Sequence, residues 1–348
     1  MNKQGVKQLA RDFGSCVTID ELASFLKIPI FGLSFLSQNK IYNEFKVRKS
    51  NGGERLIEDP EPTLKALLSN LAEGFQAVHY LNRSKASFGF QWVLKNERMP
   101  RSIKTNAQQH LNKKYLVNLD FKDFFYQVDR ERLMAVFKSK LFRFNESAIA
   151  IICDLVTHKG RLPMGAPSSP VLSNMAAHDL DLDLEKFCSD NQIVYTRFVD
   201  DLSFSSQVPI GDQEISTIQN LTKIHGFKFN ESKKKVYGPD DTKLVTGIEV
   251  GETLMIPLEF LAKLEIEITK YSHTHEVNQV VGYKNKEYLE KIEDQLEGKL
   301  RYIEFILGEN HEVYQRLSRK YLQASETHQF DNVSWLDFDY QKFIPPRK

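Results

Sequence analysis

The chain has 348 residues, 41% hydrophobic and 27% charged, a balance that excludes disordered and collagen-like classes. No stretch approaches the roughly 18 apolar residues of a membrane span, the first residues carry no apolar signal region, and three cysteines without a CxxC spacing exclude a disulfide framework. The net charge of +1 conceals a polarity: residues 1–118 carry a net of +8, residues 119–257 a net of −4 and residues 258–348 a net of −3. That division suggests a polyanion-binding region beside a carboxylate cluster, in a protein of the reducing cytoplasm with no membrane partner.

Residues 6–40 read as helical, with Thr18 as an N-cap and Glu21 three residues later. Phe45–Ile57 reads as a β-hairpin, because Asn51-Gly52-Gly53 supplies the positive φ angles of a tight turn. Pro60 and Pro62 end it, and an amphipathic helix is predicted over Thr63–Tyr80. Tyr115–Leu119 is a short apolar strand leading into Asp120, and a helix is predicted over about 129–140. Another starts at Ser168-Ser169-Pro170, with a Ser cap and Pro in its first turn, and runs through Phe187. Two strands, Ile193–Phe198 and Leu202–Ser205, are joined at Val199-Asp200-Asp201. Val245–Val250 and Thr253–Ile256 read as a hairpin about Gly251-Glu252. From residue 258 to about 324 the pattern is helical, with i,i+4 pairs such as Glu259 and Lys263. His273-Thr-His275 reads as a surface loop, not a metal site, since it lacks cysteine partners.

The chemistry centres on Tyr195-Thr-Arg-Phe-Val-Asp200-Asp201-Leu-Ser-Phe204. Adjacent carboxylates at the tip of apolar strands repel each other, and Asp is a poor strand residue. A divalent cation such as Mg²⁺ resolves the conflict with hard oxygen ligands, although a lone Asp pair reads more readily as a solvated turn. Asp120 changes the balance. If its strand pairs beside the hairpin, three carboxylates converge, the design that holds two metal ions for in-line nucleotidyl transfer. Pro163-Met-Gly165-Ala-Pro167 adds a tight turn whose backbone can approach a flat ligand closely.

In chain order, Arg55-x-Ile57-x-x-Pro60, Leu119-Asp120-x-x-x-Phe-Phe125, Pro163-x-Gly165-Ala-Pro-Ser-Ser-Pro170, Phe198-Val-Asp-Asp201 and Gly226-Phe-x-Phe-Asn230-x-x-Lys233 follow one another. The joint set resembles the fingers and palm of a reverse transcriptase over about residues 45–256. Asn106-Ala107-x-x-His110 and Val245-Thr246-Gly247 look like signatures of bacterial retron reverse transcriptases.

The resemblance implies an α+β right-hand polymerase. Residues 1–118 would hold N-terminal helices and fingers, 119–257 the palm with fingers-derived elements at about 140–165, and 258–348 a helical thumb and tail. Asp120, Asp200 and Asp201 resemble the metal-binding aspartates, with the Phe121 carbonyl as a further ligand to two Mg²⁺ ions, or Mn²⁺ in their place. Phe125 matches the aromatic gate against a ribose 2′-OH. Arg55, helped by Arg48 or Lys49, matches the triphosphate grip, with Met164 and Gly165 beside the nucleotide and Lys233 as donor to the pyrophosphate. Asn106, His110, Val199, Val245, Thr246, Gly247, Lys299 and Arg301 would face RNA or primer, although Asn106 and His110 fit a packed, hydrogen-bonded pair equally well.

Two positions depart from the family: Phe198-Val199 replaces the usual Tyr-Ala, and Met164 stands where Gln is common. The implied partners are dNTPs, a cognate structured non-coding RNA, its branched multicopy single-stranded DNA product (msDNA) and a separate effector of an anti-phage defence unit. Priming would start from a 2′-OH of the RNA. The rivals are a diversity-generating or abortive-infection reverse transcriptase, and a scaffold that binds RNA and sequesters an effector.

Overall fold

Three short helices open the chain in the computed structural model, which describes residues 2–48, 52–95, 97–281 and 286–325. They are α1 (Lys3–Gly14), α2 (Ile19–Leu26) and α3 (Ile30–Gln38). Thr18 and Glu21 form the expected capping box at the start of α2, satisfying backbone donors that a helix N-terminus leaves free. Strands β1 (Tyr42–Arg48) and β2 (Glu54–Pro60) form the antiparallel hairpin, and α4 (Pro62–Asn82) follows with Pro in its first turn. Phe13 of α1 meets Phe75 of α4 edge to face at 5.1 Å, and Phe137, Phe142 and Phe144 complete a buried aromatic cluster.

The sheet that positions the carboxylates has the order β4-β5-β3-β6 and is antiparallel throughout. Its strands are β3 (Tyr115–Asp120), β4 (Val194–Phe198), β5 (Asp201–Ser206) and β6 (Lys235–Tyr237). Alternation along the strands gives the sheet two different faces. Tyr195 and Phe204 stack at 5.0 Å on one face, while Thr196, Ser203 and Ser205 lie buried on the other.

Four helices between β3 and β4 are α6 (Arg130–Phe137), α7 (Glu146–Val156), α8 (Ser169–Ala176) and α9 (His178–Asp190), preceded by α5 (Ile103–Gln108) before β3. The single helix expected from Ser168 to Phe187 is thus two, broken at Ala177. Nor does Ser168 cap with its side chain; its backbone is already in the right-handed helical region. Ser169 instead donates to the Pro163 carbonyl at 2.7 Å, closing the loop before the helix. Helix α10 (Asp212–Ile224) follows β5. The expected strand over residues 245–250 is interrupted: Thr246 and Gly247 have φ of +50° and +81°, which turns the chain between β7 (Leu244–Val245) and β8 (Ile248–Val250). With β9 (Leu254–Met255) these make a three-stranded antiparallel sheet.

The chain divides into two compact units, Met1–Met255 and Ile256–Lys348. Within the second, α11 (Leu258–Val281), α12 (Lys286–Leu307) and α13 (Glu312–Ser325) pack on one another through Ile268, Tyr271, Leu296, Ile303 and Leu317. His273 and His275 lie within α11, not in a surface loop, and His275 is buried beside Tyr271. The tail beyond residue 325 and Lys49 lie outside the described residues. No helix among the described residues is long and apolar enough to cross a membrane.

Candidate active site

Strand pairing brings the predicted carboxylates together. In the β3–β5 register Asp120 lies opposite Asp201, and the Phe121 N–H donates to the Asp200 carbonyl at 2.9 Å. The segment after α10 crosses the same end of the sheet, where the Asn230 N–H donates to the Asp120 carbonyl at 2.7 Å. A 3-10 turn, Glu231–Lys233, then aims Lys233 at the site, and its Nζ donates to both Asp120 carboxylate oxygens at 2.8 Å. Lys233, the lysine expected at the nucleotide, therefore has its ammonium at the carboxylates.

The charges explain what the site favours. Desolvation, followed by the nearby Asp120 charge, raises the Asp200 carboxyl. Desolvation and repulsion from Asp200 and Asp120 push the Asp201 carboxyl up to about 7. Lys233 loses hydration too, but its hydrogen bond to Asp120 and the surrounding carboxylates outweigh that loss and hold its ammonium above the ordinary value. Three hard-oxygen donors under mutual repulsion, with a protein ammonium against one of them, fit divalent cations such as Mg²⁺.

A cleft of about 780 Å³ opens beside these groups, and Arg55, Phe90, Phe125, Met164, Gly165 and Lys233 reach into it. Phe125 lies in a 3-10 turn, Phe124–Gln127, entered through Asp123 at φ +47°. Its half-buried ring packs 6.4 Å from Phe90 and 6.1 Å from Phe124. The loop at Met164-Gly165 is fastened to the hairpin, since the Glu58 N–H donates to the Met164 carbonyl at 2.7 Å. Gly165 has φ +135°, and a Cβ there would stand 2.8 Å from the Glu58 carbonyl oxygen, so a side chain would separate loop from strand. Arg55 and Arg48 are exposed on β2 and β1.

Glu58 itself was not among the expected residues. Its carboxylate is fully buried and takes a bidentate pair from Arg161, at 2.6 and 3.0 Å. Arg161 also stacks over the Tyr126 ring at 3.6 Å, so one guanidinium joins the hairpin base to the segment carrying Phe125. Glu44, Glu58 and His158 bring possible ligand atoms within 4.8 Å of one another. Arg161 and Lys159 already neutralise these carboxylates, which argues against a cation there.

Several expected RNA contacts lie elsewhere. Asn106 and His110 are both 1% exposed, which corrects their assignment to RNA contact: both side chains are packed in the interior. His110 falls beyond the end of α5 and hydrogen-bonds Ser205 Oγ and Thr196 Oγ1, each at 2.7 Å. Desolvation, with the Lys113 charge, pushes its pKa down to about 3, so it bridges β4 and β5 as a neutral ring. The Val245 side chain is fully buried and likewise cannot meet a polynucleotide; only the Thr246-Gly247 turn reaches the surface. Lys299 and Arg301 belong to the second unit, where each is ion-paired, Lys299 with Glu267 and Arg301 with Glu297.

Residues 47–272 match the family model described as reverse transcriptase (RNA-dependent DNA polymerase). The chain is 28% identical over 218 residues to the retron Ec86 reverse transcriptase of Escherichia coli, covering 61% of this chain and 63% of that one. It is 27% identical over 299 residues to the retron Mx65 reverse transcriptase of Myxococcus xanthus, covering 80% and 64%. With the retron Ec83 reverse transcriptase of Escherichia coli it shares 28% over 221 residues, covering 60% and 67%. The matched part thus spans a little under two thirds of the first two relatives.

Proposed function

Because the chain belongs to the reverse transcriptase (RNA-dependent DNA polymerase) family, we propose that it is a retron-type enzyme that copies part of a cognate structured RNA into DNA. The observation that carries this reading is the meeting of Asp120 with Asp200 and Asp201 across β3 and β5. In this reading residues 1–118 form N-terminal helices and fingers, 119–257 the palm, and 258–348 the helical thumb and tail.

Asp120, Asp200, Asp201 and the Phe121 carbonyl would hold two Mg²⁺ ions, which would supply activation of the attacking hydroxyl and offset the charge on the transferred phosphoryl group. The chain's own groups do the rest. Arg55, assisted by Arg48, grips the triphosphate; Phe125 lies under the sugar and excludes a 2′-OH; Met164 and Gly165 border the nucleotide. Lys233 releases Asp120 and gives its proton to the departing pyrophosphate, a role its hydrogen-bonding reach supports. The Thr246-Gly247 turn and Val199 border the primer.

Similarity to retron enzymes extends the reading to priming from an RNA 2′-OH, a branched msDNA product and a defence unit with a separate effector. Purifying the chain with its neighbouring RNA locus tests this. A branched single-stranded DNA that survives RNase and stays joined to RNA is the expected companion. Linear cDNA with free 5′ ends would support another reverse transcriptase type.

A further inference from the structure

Arg197 lies in β4, three residues before Asp200, and is fully buried. All five of its N–H donors are used. Nε and Nη2 donate to the two Asp181 oxygens at 2.8 and 2.6 Å. Nη1 donates to Asn174 Oδ1 and to the Val199 carbonyl, both at 2.9 Å. Nη2 also donates to Ser87 Oγ at 3.4 Å. The acceptors come from α9, from α8, from the segment after α4 and from the catalytic turn itself. Charge neutralisation needs only Asp181; the bond to Val199 is additional.

Val199 has φ +61°, the left-handed region, which a β-branched residue occupies only under constraint. Two contacts supply it. One is the hydrogen bond from Arg197. The other is Gly89, where a Cβ would stand 2.5 Å from Val199 Cγ2 and 2.7 Å from its backbone nitrogen. Asn174 Nδ2 donates to the Gly89 carbonyl at 2.8 Å, so one buried amide fastens both sides of the slot that holds Val199. The next residue passes the geometry on, since the Asp200 carbonyl accepts from Phe121 and Asp201 pairs with Asp120.

We propose that Arg197 is a positioning residue: it holds Val199 in its left-handed conformation and thereby sets Asp200 and Asp201 against Asp120. The proposal rests on the reading of these carboxylates as the catalytic set. Lys can neutralise Asp181, but it lacks the planar fork that also reaches Val199.

Arg197→Lys is therefore expected to fold, to keep its KM for dNTP, and to lose about tenfold in kcat, the worth of one well-placed hydrogen bond. Adding Val199→Gly tests the cause, because glycine takes a positive φ without strain. The double variant should recover most of the lost kcat, while its melting temperature stays at the level of R197K. A V199G substitution that leaves the kcat loss in place, or an R197K enzyme with full kcat, overturns the proposal. If R197K does not fold, Asn174→Ala, which loosens the same slot, carries the same pair of outcomes. A wild-type chain that makes no DNA would defeat the carboxylate reading itself; an active wild type without rescue defeats only the positioning role.

Discussion

Lys233 Nζ donates to both carboxylate oxygens of Asp120 at 2.8 Å, so an ammonium stands where the site favours cations. In the proposed reading, a divalent metal bound at Asp120 would compete with this ammonium, which would then be free to meet the leaving group. Lys233→Met should lower kcat for single-nucleotide addition by about 10²-fold, the usual worth of a positioned acid. The Mg²⁺ concentration giving half-maximal rate should fall or stay level, because a competitor is gone. Rapid-quench incorporation over a Mg²⁺ series measures both, and an unchanged kcat removes the proton-donor role.

The Asp201 carboxyl gives a pH dependence with a definite sign. Its folded pKa is raised to about 7, against roughly 3.9 in an unfolded chain. Between those values the folded state binds more protons, so metal-free stability falls as pH rises from about 4 to about 7 and the penalty is complete above that. Asp201→Asn should therefore melt higher than the wild type at pH 8 in a chelator, with the gap closing toward pH 4 and kept small by solvent around this exposed residue. Adding Mg²⁺ should raise the wild-type melting temperature more than that of the variant. Equal melting curves in chelator would contradict the repulsion argument.

Phe125 supports itself on Phe124 and Phe90 and turns a half-buried ring to the cleft. In the proposed reading Phe125→Ala removes the ring that would meet a 2′-OH. Discrimination between a dNTP and its ribonucleotide, read as the ratio of kcat/KM values, should drop by about 10²-fold. A ratio that does not change would leave Phe125 as a packing residue.

Arg161→Met deprives the fully buried Glu58 carboxylate of its bidentate partner and leaves only Lys159 and His158, at 4.0 and 3.9 Å. Breaking such a pair costs about 3–5 kcal/mol. Urea unfolding should show that loss, and Glu58→Gln in the same chain should restore a large part of it. The hairpin carrying Arg55 hangs from this pair, so the KM for dNTP should rise in Arg161→Met as well.

The site was legible in the sequence where local patterns carry it. An apolar strand ending in Asp120, two short strands around Asp200-Asp201 and a Gly-rich hairpin each follow from residues close together in the chain, and the structure keeps all three. The long C-terminal helices are equally local. What was not legible depends on distant partners. His110 finds its hydrogen-bond partners 86 and 95 residues away, so nothing around it distinguishes a buried bridge from an RNA contact. Arg197 did carry a signal, a charged residue inside an apolar strand, which only Asp181 and Asn174 turn into a network. Helix α7 is buried on most of its surface and opens only at Glu146, Ser147, Ala150 and Asp154, so its polar stripe is too narrow to mark it in the sequence. Strand β6 begins on the last of three lysines at a sheet edge and is mostly exposed, so no alternation marks it. The turn at Thr246-Gly247 hides inside a run that reads as continuous strand.

Asp120, Asp200 and Asp201 are proposed to make this chain a polymerase that reads RNA. Primer extension on an RNA template with purified protein, Mg²⁺ and dNTPs tests it directly, comparing the wild type with Asp200→Asn/Asp201→Asn. Extended DNA is expected from the wild type, none from the double variant, and equal RNA affinity for both. DNA synthesis that persists in the double variant would contradict it.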